Sequence, residues 1–158
     1  MQNKRGLFVV FEGLDRSGKT TQTAKLQAKL AGDKPESCEK LNFPNRQSES
    51  GKLLDMYLKN KQGDGMGDEA VHLLFAMNRW EMKKVILGKL NQGINIVCDR
   101  YAYSGVAYSA AKGLDFDWCL GADRGLIRPD LVFYIDIGAQ KLAQRSGFGE
   151  ERFEKVEF

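Results

Sequence analysis

The sequence is poor in cysteine, in charge of one sign and in long apolar runs. Its three cysteines, Cys38, Cys98 and Cys119, are odd in number, far apart and without metal-ligand spacing. That excludes a disulfide framework and implies reduced thiols in a reducing compartment such as the cytoplasm. No apolar stretch approaches the length that spans a bilayer, so no membrane segment is expected. Residues Met1 to Gly6 are polar and too short for a signal peptide. The net charge is only +3, and no run of Lys or Arg exceeds two residues. A basic face for nucleic acid is therefore excluded, and the positive charge is better explained by phosphate ligands. There are no internal repeats. The one histidine, His72, lies near the start of a helical stretch and reads as structural.

What is present is an alternation of short apolar runs with helical patterns. Strand candidates are Leu7–Phe11, Ile94–Cys98 and Leu131–Ile135, with a weaker one near Ser37–Leu41. Helical patterns cover Lys19–Leu30, Gly51–Lys59 and Asp68–Leu90, with poorer ones at Ala102–Ala111 and Asp117–Ala122 and a helix start at Ala139–Arg145. Alternation of this kind predicts an α/β fold, a parallel sheet with helices on both faces. The continuous apolarity of the strands predicts burial on both sides. The 158 residues suit a single domain. Gln62–Gly67 reads as a loop rather than a domain linker. Ligands are expected at the carboxyl ends of the strands.

Four motifs fall at those ends. Gly13-Leu14-Asp15-Arg16-Ser17-Gly18-Lys19-Thr20 is a phosphate-binding loop set between a strand and a helix. Gly13 and Gly18 let the backbone curl so that its N–H groups face phosphate oxygens. Lys19 adds a point charge, the Thr20 hydroxyl can ligate Mg²⁺, and the helix that follows turns its positive end to the anion. Asp99-Arg100 ends a buried strand, which places a magnesium-holding acid beside a cation. Arg46 follows Phe43-Pro44-Asn45 in a proline-stiffened turn and offers a guanidinium fork. Phe75 and Arg79, four apart, share a helical face and could stack on and hydrogen-bond a base. On spacing alone, though, they read as a core ring beside an exposed arginine. With Arg16 inside the loop, there is more cation than one triphosphate needs. That suggests a second, acceptor phosphate and hence phosphoryl transfer.

Taken together, Phe11–Gln22, Phe43–Arg46, His72–Glu81 and Asp99–Ser109 resemble thymidylate kinase of the eukaryotic and poxviral subtype, which carries an arginine in the phosphate loop. The likeness runs from Arg5 to about Val156. It implies a P-loop nucleoside monophosphate kinase fold and ATP-dependent phosphorylation of dTMP to dTDP with Mg²⁺. By the resemblance, Asp15, Arg16, Lys19 and Arg100 are catalytic. Asp15 also holds the sugar 3′-hydroxyl, and Arg16 clamps the phosphoryl group in transit. Gly13, Arg16, Ser17, Gly18, Lys19, Thr20, Thr21 and Arg145 serve ATP, with Arg145 against adenine. Phe43, Arg46 and Arg100 hold the acceptor phosphate end, Phe75 stacks on thymine, and Arg79 reaches a thymine carbonyl. Ser104 and Gly105 line the base pocket, and Tyr108 lies under the deoxyribose and disfavours a ribose hydroxyl. Thr20 and Asp99 serve the metal, Asp99 through its water shell.

The resemblance also implies a homodimer, formed partly by the long helix, and a mobile lid at about 145–156. Two departures stand out. Phe153 occupies a lid position where the family commonly has Tyr. The family also continues through another strand and further helices, so the native protein is expected to run beyond Phe158. Other nucleoside monophosphate kinases, or a nucleotide-binding module without turnover, are the alternatives.

Overall fold

The computed structural model describes residues 5–59 and 65–138. In chain order the elements are β1 (Phe8–Gly13), α1 (Lys19–Ala31), a 3₁₀ turn at Pro35–Ser37 and β2 (Cys38–Asn42). Then come α2 (Glu49–Lys59), α3 (Asp68–Asn91), β3 (Asn95–Asp99), α4 (Ala102–Ala111), α5 (Phe116–Ala122) and β4 (Leu131–Ile135). The four strands are all parallel and lie in the order β2-β3-β1-β4. The chain leaves β1 for β2 on one side of the sheet and leaves β3 for β4 on the other. The two connections part between β1 and β3, and a crevice opens at the carboxyl ends of that pair.

Strand periodicity explains the core. Phe8 and Val10 of β1 join Ile96 and Cys98 of β3, Ile86 and Leu90 of α3, and Tyr101 on one face. Val9, Phe11 and Val97 face the other way and pack with Ala31 of α1 and Cys38. Both central strands are therefore sandwiched, and their apolar runs are unbroken. Glu12 continues the Phe8–Val10 row and is buried at the end of β1. Its carboxylate accepts from the backbone N–H of Tyr101 at 2.9 Å and of Ser104 at 3.2 Å, and from the Ser104 hydroxyl. It thereby caps α4, whose own N-cap residue, Tyr101, provides no side-chain bond.

The outer strands depart from the expected double burial. β2 buries only Cys38 and then alternates between partly buried and exposed residues, and β4 is largely exposed, with Leu131 at 49% and Tyr134 at 67%. Among the described residues β4 pairs only with β1. Among the described residues its aromatic anchor on the sheet is Phe133, stacked on Phe11 with ring centroids 5.0 Å apart. The helix start expected at Ala139–Arg145 lies outside the described residues.

Three side chains of α3 hold the β2–α2 loop and the start of α2: Asn78, Glu81, which accepts from the Ser50 hydroxyl at 2.7 Å, and Met82, whose sulfur accepts from Asn45 Nδ2 at 3.2 Å. Asn78 is fully buried. Its Oδ1 accepts from the Asn45 N–H at 2.7 Å, and its Nδ2 donates to Asn45 O at 3.1 Å and to the Ser48 and Ser50 hydroxyls at 2.9 Å each. This grips the turn after the cis Phe43–Pro44 peptide on both its donor and its acceptor. Removing one partner strands the other buried groups. Asn78→Ala should therefore cost about 2–4 kcal/mol in denaturant unfolding. An unchanged midpoint would mean that the loop holds itself.

Candidate active site

The crevice is a cavity of about 670 Å³, a size that holds a nucleotide-sized ligand. Its wall is built from the loop after β1, the ends of β2 and β3, the middle of α3, the start of α4 and residues from α2. Seven basic side chains line it (Arg16, Lys19, Lys40, Arg46, Arg79, Arg100 and Lys112) against two acids, Asp15 and Asp99. That local surplus exceeds the net charge of the whole chain, +3, so the cavity is made for anions.

The phosphate loop takes its shape from positive-φ residues. Gly13 has φ 140° and Gly18 φ 103°, and Arg16, with φ 60°, is one of two non-glycine residues in that region among the described residues. The other is Arg100, φ 66°, which follows β3. At Gly13 a β-carbon would lie 2.4 Å from Ile135 O, so the loop abuts β4. Lys19 is buried and donates to Leu14 O at 2.5 Å, curling over the loop. Burial first, and then the Arg100 guanidinium, push its ammonium down to about 8, while Asp15, Asp99 and Glu12 pull the other way. Asp15, Arg16, Gly18, Lys19, Thr20 and Thr21 reach the cavity wall, whereas Gly13 and Ser17 lie behind it. Ser17 Oγ is buried without a hydrogen-bond partner among the described residues.

Beside the loop, register sets the next contacts. Phe11 is opposite Asp99 in the β1–β3 pair. The Thr20 hydroxyl donates to Asp99 Oδ2 at 2.7 Å. These two adjacent oxygen donors suit Mg²⁺, which takes a few protein oxygens and completes its shell with water and phosphate. No cluster of three or more acidic, histidine or cysteine ligands exists among the described residues, so a softer or fully caged metal does not fit.

The second lobe is a set of arginine–carboxylate pairs. Arg100 Nη2 donates to Asp15 Oδ1 at 2.5 Å, and Nη1 to the Ser104 hydroxyl at 2.8 Å. Tyr108 OH donates to Asp15 Oδ2 at 3.2 Å, and the Arg100 guanidinium lies 5.4 Å from the Tyr108 ring centroid. Burial alone would raise the Asp15 carboxyl, but Arg100 outweighs it and holds Asp15 below the usual carboxylate range. Burial pushes the Tyr108 phenol up to about 12, so it stays protonated as a donor. Arg46 donates to Asp55 of α2 at 2.6 Å. Phe43 packs on Tyr101, ring centroids 5.5 Å apart, and closes the floor. Ser104 and Gly105 fall in the first turn of α4, and Tyr108 lies one turn on.

Phe75 and Arg79 both line the cavity. Phe75 is half-buried against Tyr57, Leu58 and Val71. Arg79 is not the exposed arginine that spacing suggested: it is 2% exposed and forked by Asp123, Nε to Oδ1 at 2.8 Å and Nη2 to Oδ2 at 2.7 Å. Sequence reasoning missed Asp123, Asp55 and the Glu12 cap. Glu12 stood inside a recognised motif, on the inward parity of β1; no local signal marked the other two. Arg145, Phe153 and the lid lie outside the described residues. His72 is structural as expected: fully buried, its Nε2 donates to Cys119 O at 2.9 Å, leaving Nδ1 to accept from Ser109 at 2.8 Å.

A phosphate loop, a strand-end Asp-Arg and an arginine-lined second lobe at one switch point define a P-loop nucleotide kinase. A family model for thymidylate kinase matches residues 11–158. The chain is 49% identical over 155 residues to a thymidylate kinase of Dictyostelium discoideum, covering 98% of this chain and 69% of that sequence. With that of Homo sapiens it shares 46% over 161 residues, covering 100% of this chain and 74% of the human one. With that of Arabidopsis thaliana it shares 47%, covering 98% of this chain and 57% of the plant one. A solved thymidylate kinase from Candida albicans superposes with TM-score 0.89 at 40% identity, covering 97% of this chain and 72% of that one. The chain belongs to the thymidylate kinase family.

The depressed Lys19 predicts a proton linkage. A triphosphate beside Lys19 restores the charged ammonium, so the protein should take up a proton on binding nucleotide at about pH 8.5, where free Lys19 is largely neutral. Affinity should then fall as pH rises above about 8. Binding heats measured in two buffers of different ionisation enthalpy should differ accordingly, and equal heats would remove Lys19 from this role.

Proposed function

We propose how this chain, a kinase of the thymidylate kinase family, divides the phosphorylation of dTMP by ATP among its residues. The observation that carries the reading is the bipartite cavity, a phosphate loop facing a lobe lined by Arg46, Arg79 and Arg100. ATP lies with its phosphates against Gly13–Thr21. Lys19 neutralises the outer phosphates, and Ser17 and Gly18 contribute loop backbone. The Thr20 hydroxyl and Asp99 carboxylate are the oxygens that would hold Mg²⁺, Asp99 through its water; when bound, the ion neutralises phosphate charge.

The acceptor occupies the other lobe. Arg46 and Arg100 each exchange a carboxylate contact for the dTMP phosphate, a trade their partly exposed pairs permit. Asp15, released in part from Arg100, accepts from the 3′-hydroxyl. Phe75 stacks on thymine, and Phe43 backs the phosphate end. Ser104 and Gly105 border the base. Arg79 donates to the 4-carbonyl, and Tyr108 sits below the sugar and leaves no partner for a ribose hydroxyl. A dTMP phosphate oxygen then attacks the γ-phosphorus in line. One P–O bond forms, the bond to the β–γ bridging oxygen breaks, and ADP leaves. Arg16 follows the equatorial oxygens through this displacement, an arginine clamp supplied within the loop itself.

The family's homodimer fits the exposed Leu73, Met77 and Trp80, which share one stripe of α3. A cytoplasmic setting fits the unpaired, buried thiols of Cys38, Cys98 and Cys119. No described helix is long and apolar enough to cross a membrane.

Coupled assays of ATP consumption with dTMP, dUMP, dGMP and no acceptor test the reading. Turnover should require an acceptor and be fastest with dTMP. Preference for another acceptor would make this a different monophosphate kinase, and binding without turnover a nucleotide-binding module. Arg16→Gly should lower kcat by roughly 10³-fold or more while dTMP binding changes little. A variant altered only in its dTMP dissociation constant would make Arg16 a ground-state ligand.

A further inference from the structure

We infer that Asp123, in the turn that closes α5, is a positioning residue for base discrimination: it fixes which edge of the Arg79 guanidinium meets the acceptor base. The inference rests on the proposal that the base lies against Arg79.

The geometry is specific. Asp123 engages Nε and Nη2 as a two-point fork. A fork fixes the plane and the rotation of the guanidinium together, which a single bond does not. Nη1 takes no part in it, and among the described residues Nη1 makes no hydrogen bond, although Arg79 lines the cavity. The opposite side of the group is walled by Gly105, where a β-carbon would lie 2.8 Å from Nη2 and 2.9 Å from Nη1. The guanidinium is thus held between a carboxylate and the bare backbone of α4, with one nitrogen left to present donors.

The fork is also permanent. Side-chain exposure is 2% for Arg79 and 4% for Asp123. A neutral base cannot compensate a buried guanidinium, so the charge must be balanced by the protein before any ligand arrives. The helix that carries Asp123 is itself fastened to α3. His72 Nε2 donates to Cys119 O at 2.9 Å, and the Trp80 indole donates to Ala122 O at 2.9 Å. These contacts flank the fork along α3, so α5 acts as a fixed rail behind Arg79. Presented this way, Nη1 offers hydrogen only. It matches a 4-carbonyl and opposes a 4-amino group, which also brings donors.

The test compares dTMP with 5-methyl-dCMP, which differ in the 4-substituent and in the hydrogen on N3 that goes with it, in the native protein and in Asp123→Asn and Asp123→Glu. The native protein should prefer dTMP. Asp123→Asn should shrink the ratio of the two kcat/KM values by about tenfold or more, chiefly by raising KM for dTMP, with kcat within about threefold. Asp123→Glu keeps the charge but moves the carboxylate by one methylene. It should fold even where the asparagine variant does not, and should lose discrimination by at least about threefold. A merely structural Asp123 would lower the melting temperature and leave the ratio intact. An unchanged ratio in every variant that folds therefore overturns the inference. A native protein that shows no preference for dTMP would overturn the base-site reading itself, and this inference with it.

Discussion

The site depends on the parallel register of β1 and β3. Four residue pairs, from Phe8 opposite Ile96 to Phe11 opposite Asp99, fix where the two strands end relative to one another. The register continues past the strands, for the Arg100 N–H donates to Phe11 O at 2.9 Å. Because both strands are buried on both faces, a slip of one residue would turn Val9 and Val97 to the wrong side and Glu12 away from α4. The same hydrophobic pattern that fills the core thus decides that Thr20 reaches Asp99 and that Asp15 reaches Arg100. Core and chemistry are one constraint read at two ends of the same strands.

On that frame, three arginines are held by three carboxylates from different elements, and burial separates their uses. Arg46–Asp55 and Arg100–Asp15 keep solvent contact on both partners. A phosphate entering the cavity can take over part of such a pair, because the carboxylate released is still hydrated. Arg79–Asp123 has no such outlet, since releasing Asp123 would leave a buried, unpaired charge. In the proposed reading the first two pairs are exchangeable, and the third is a fixture. Charge neutrality in the empty site and affinity for anions are reconciled by that difference in exposure.

Much of this was legible in the sequence. The strand–loop–helix around Gly13–Thr20, the strand ending in Asp99-Arg100 and the long helix from Asp68 were each marked by an apolar period joined to a residue type with one use. The observed strands begin or end within two residues of the expected ones, because hydrophobicity locates a strand's middle and hydrogen bonding its ends. The exposure of β4 was not legible, since a run such as Leu131–Ile135 carries no sign of whether anything covers it. Nor was the burial of Arg79. Helical spacing puts it beside Phe75, but its depth is set by Asp123, 44 residues away, and only the folded chain brings them together. Long-range ion pairs leave no periodic trace.

The helix α3 shows why its pattern was readable as a helix yet mute about its roles. Leu90 and Ile86 pack under the sheet, Asn78 grips the loop that carries Arg46, Arg79 and Phe75 face the cavity, and His72 binds α5. Each turn serves a different neighbour, and although the buried residues keep to one face, several of them are polar, while the opposite face exposes Leu73, Met77, Trp80 and Leu87. An amphipathic stripe forms when a helix has one apolar neighbour and one solvent side. Here each buried polar residue is matched by a specific partner: Asn78 by the Asn45 backbone, Arg79 by Asp123, His72 by Ser109 and Cys119. Such pairs contribute little net energy when intact and cost much when broken. Their consequence is geometric. The loop that carries Arg46, the Arg79 guanidinium and α5 are all indexed to one rigid rod, and the distance between the proposed phosphate and base readers is therefore set by the pitch of a helix rather than by loops.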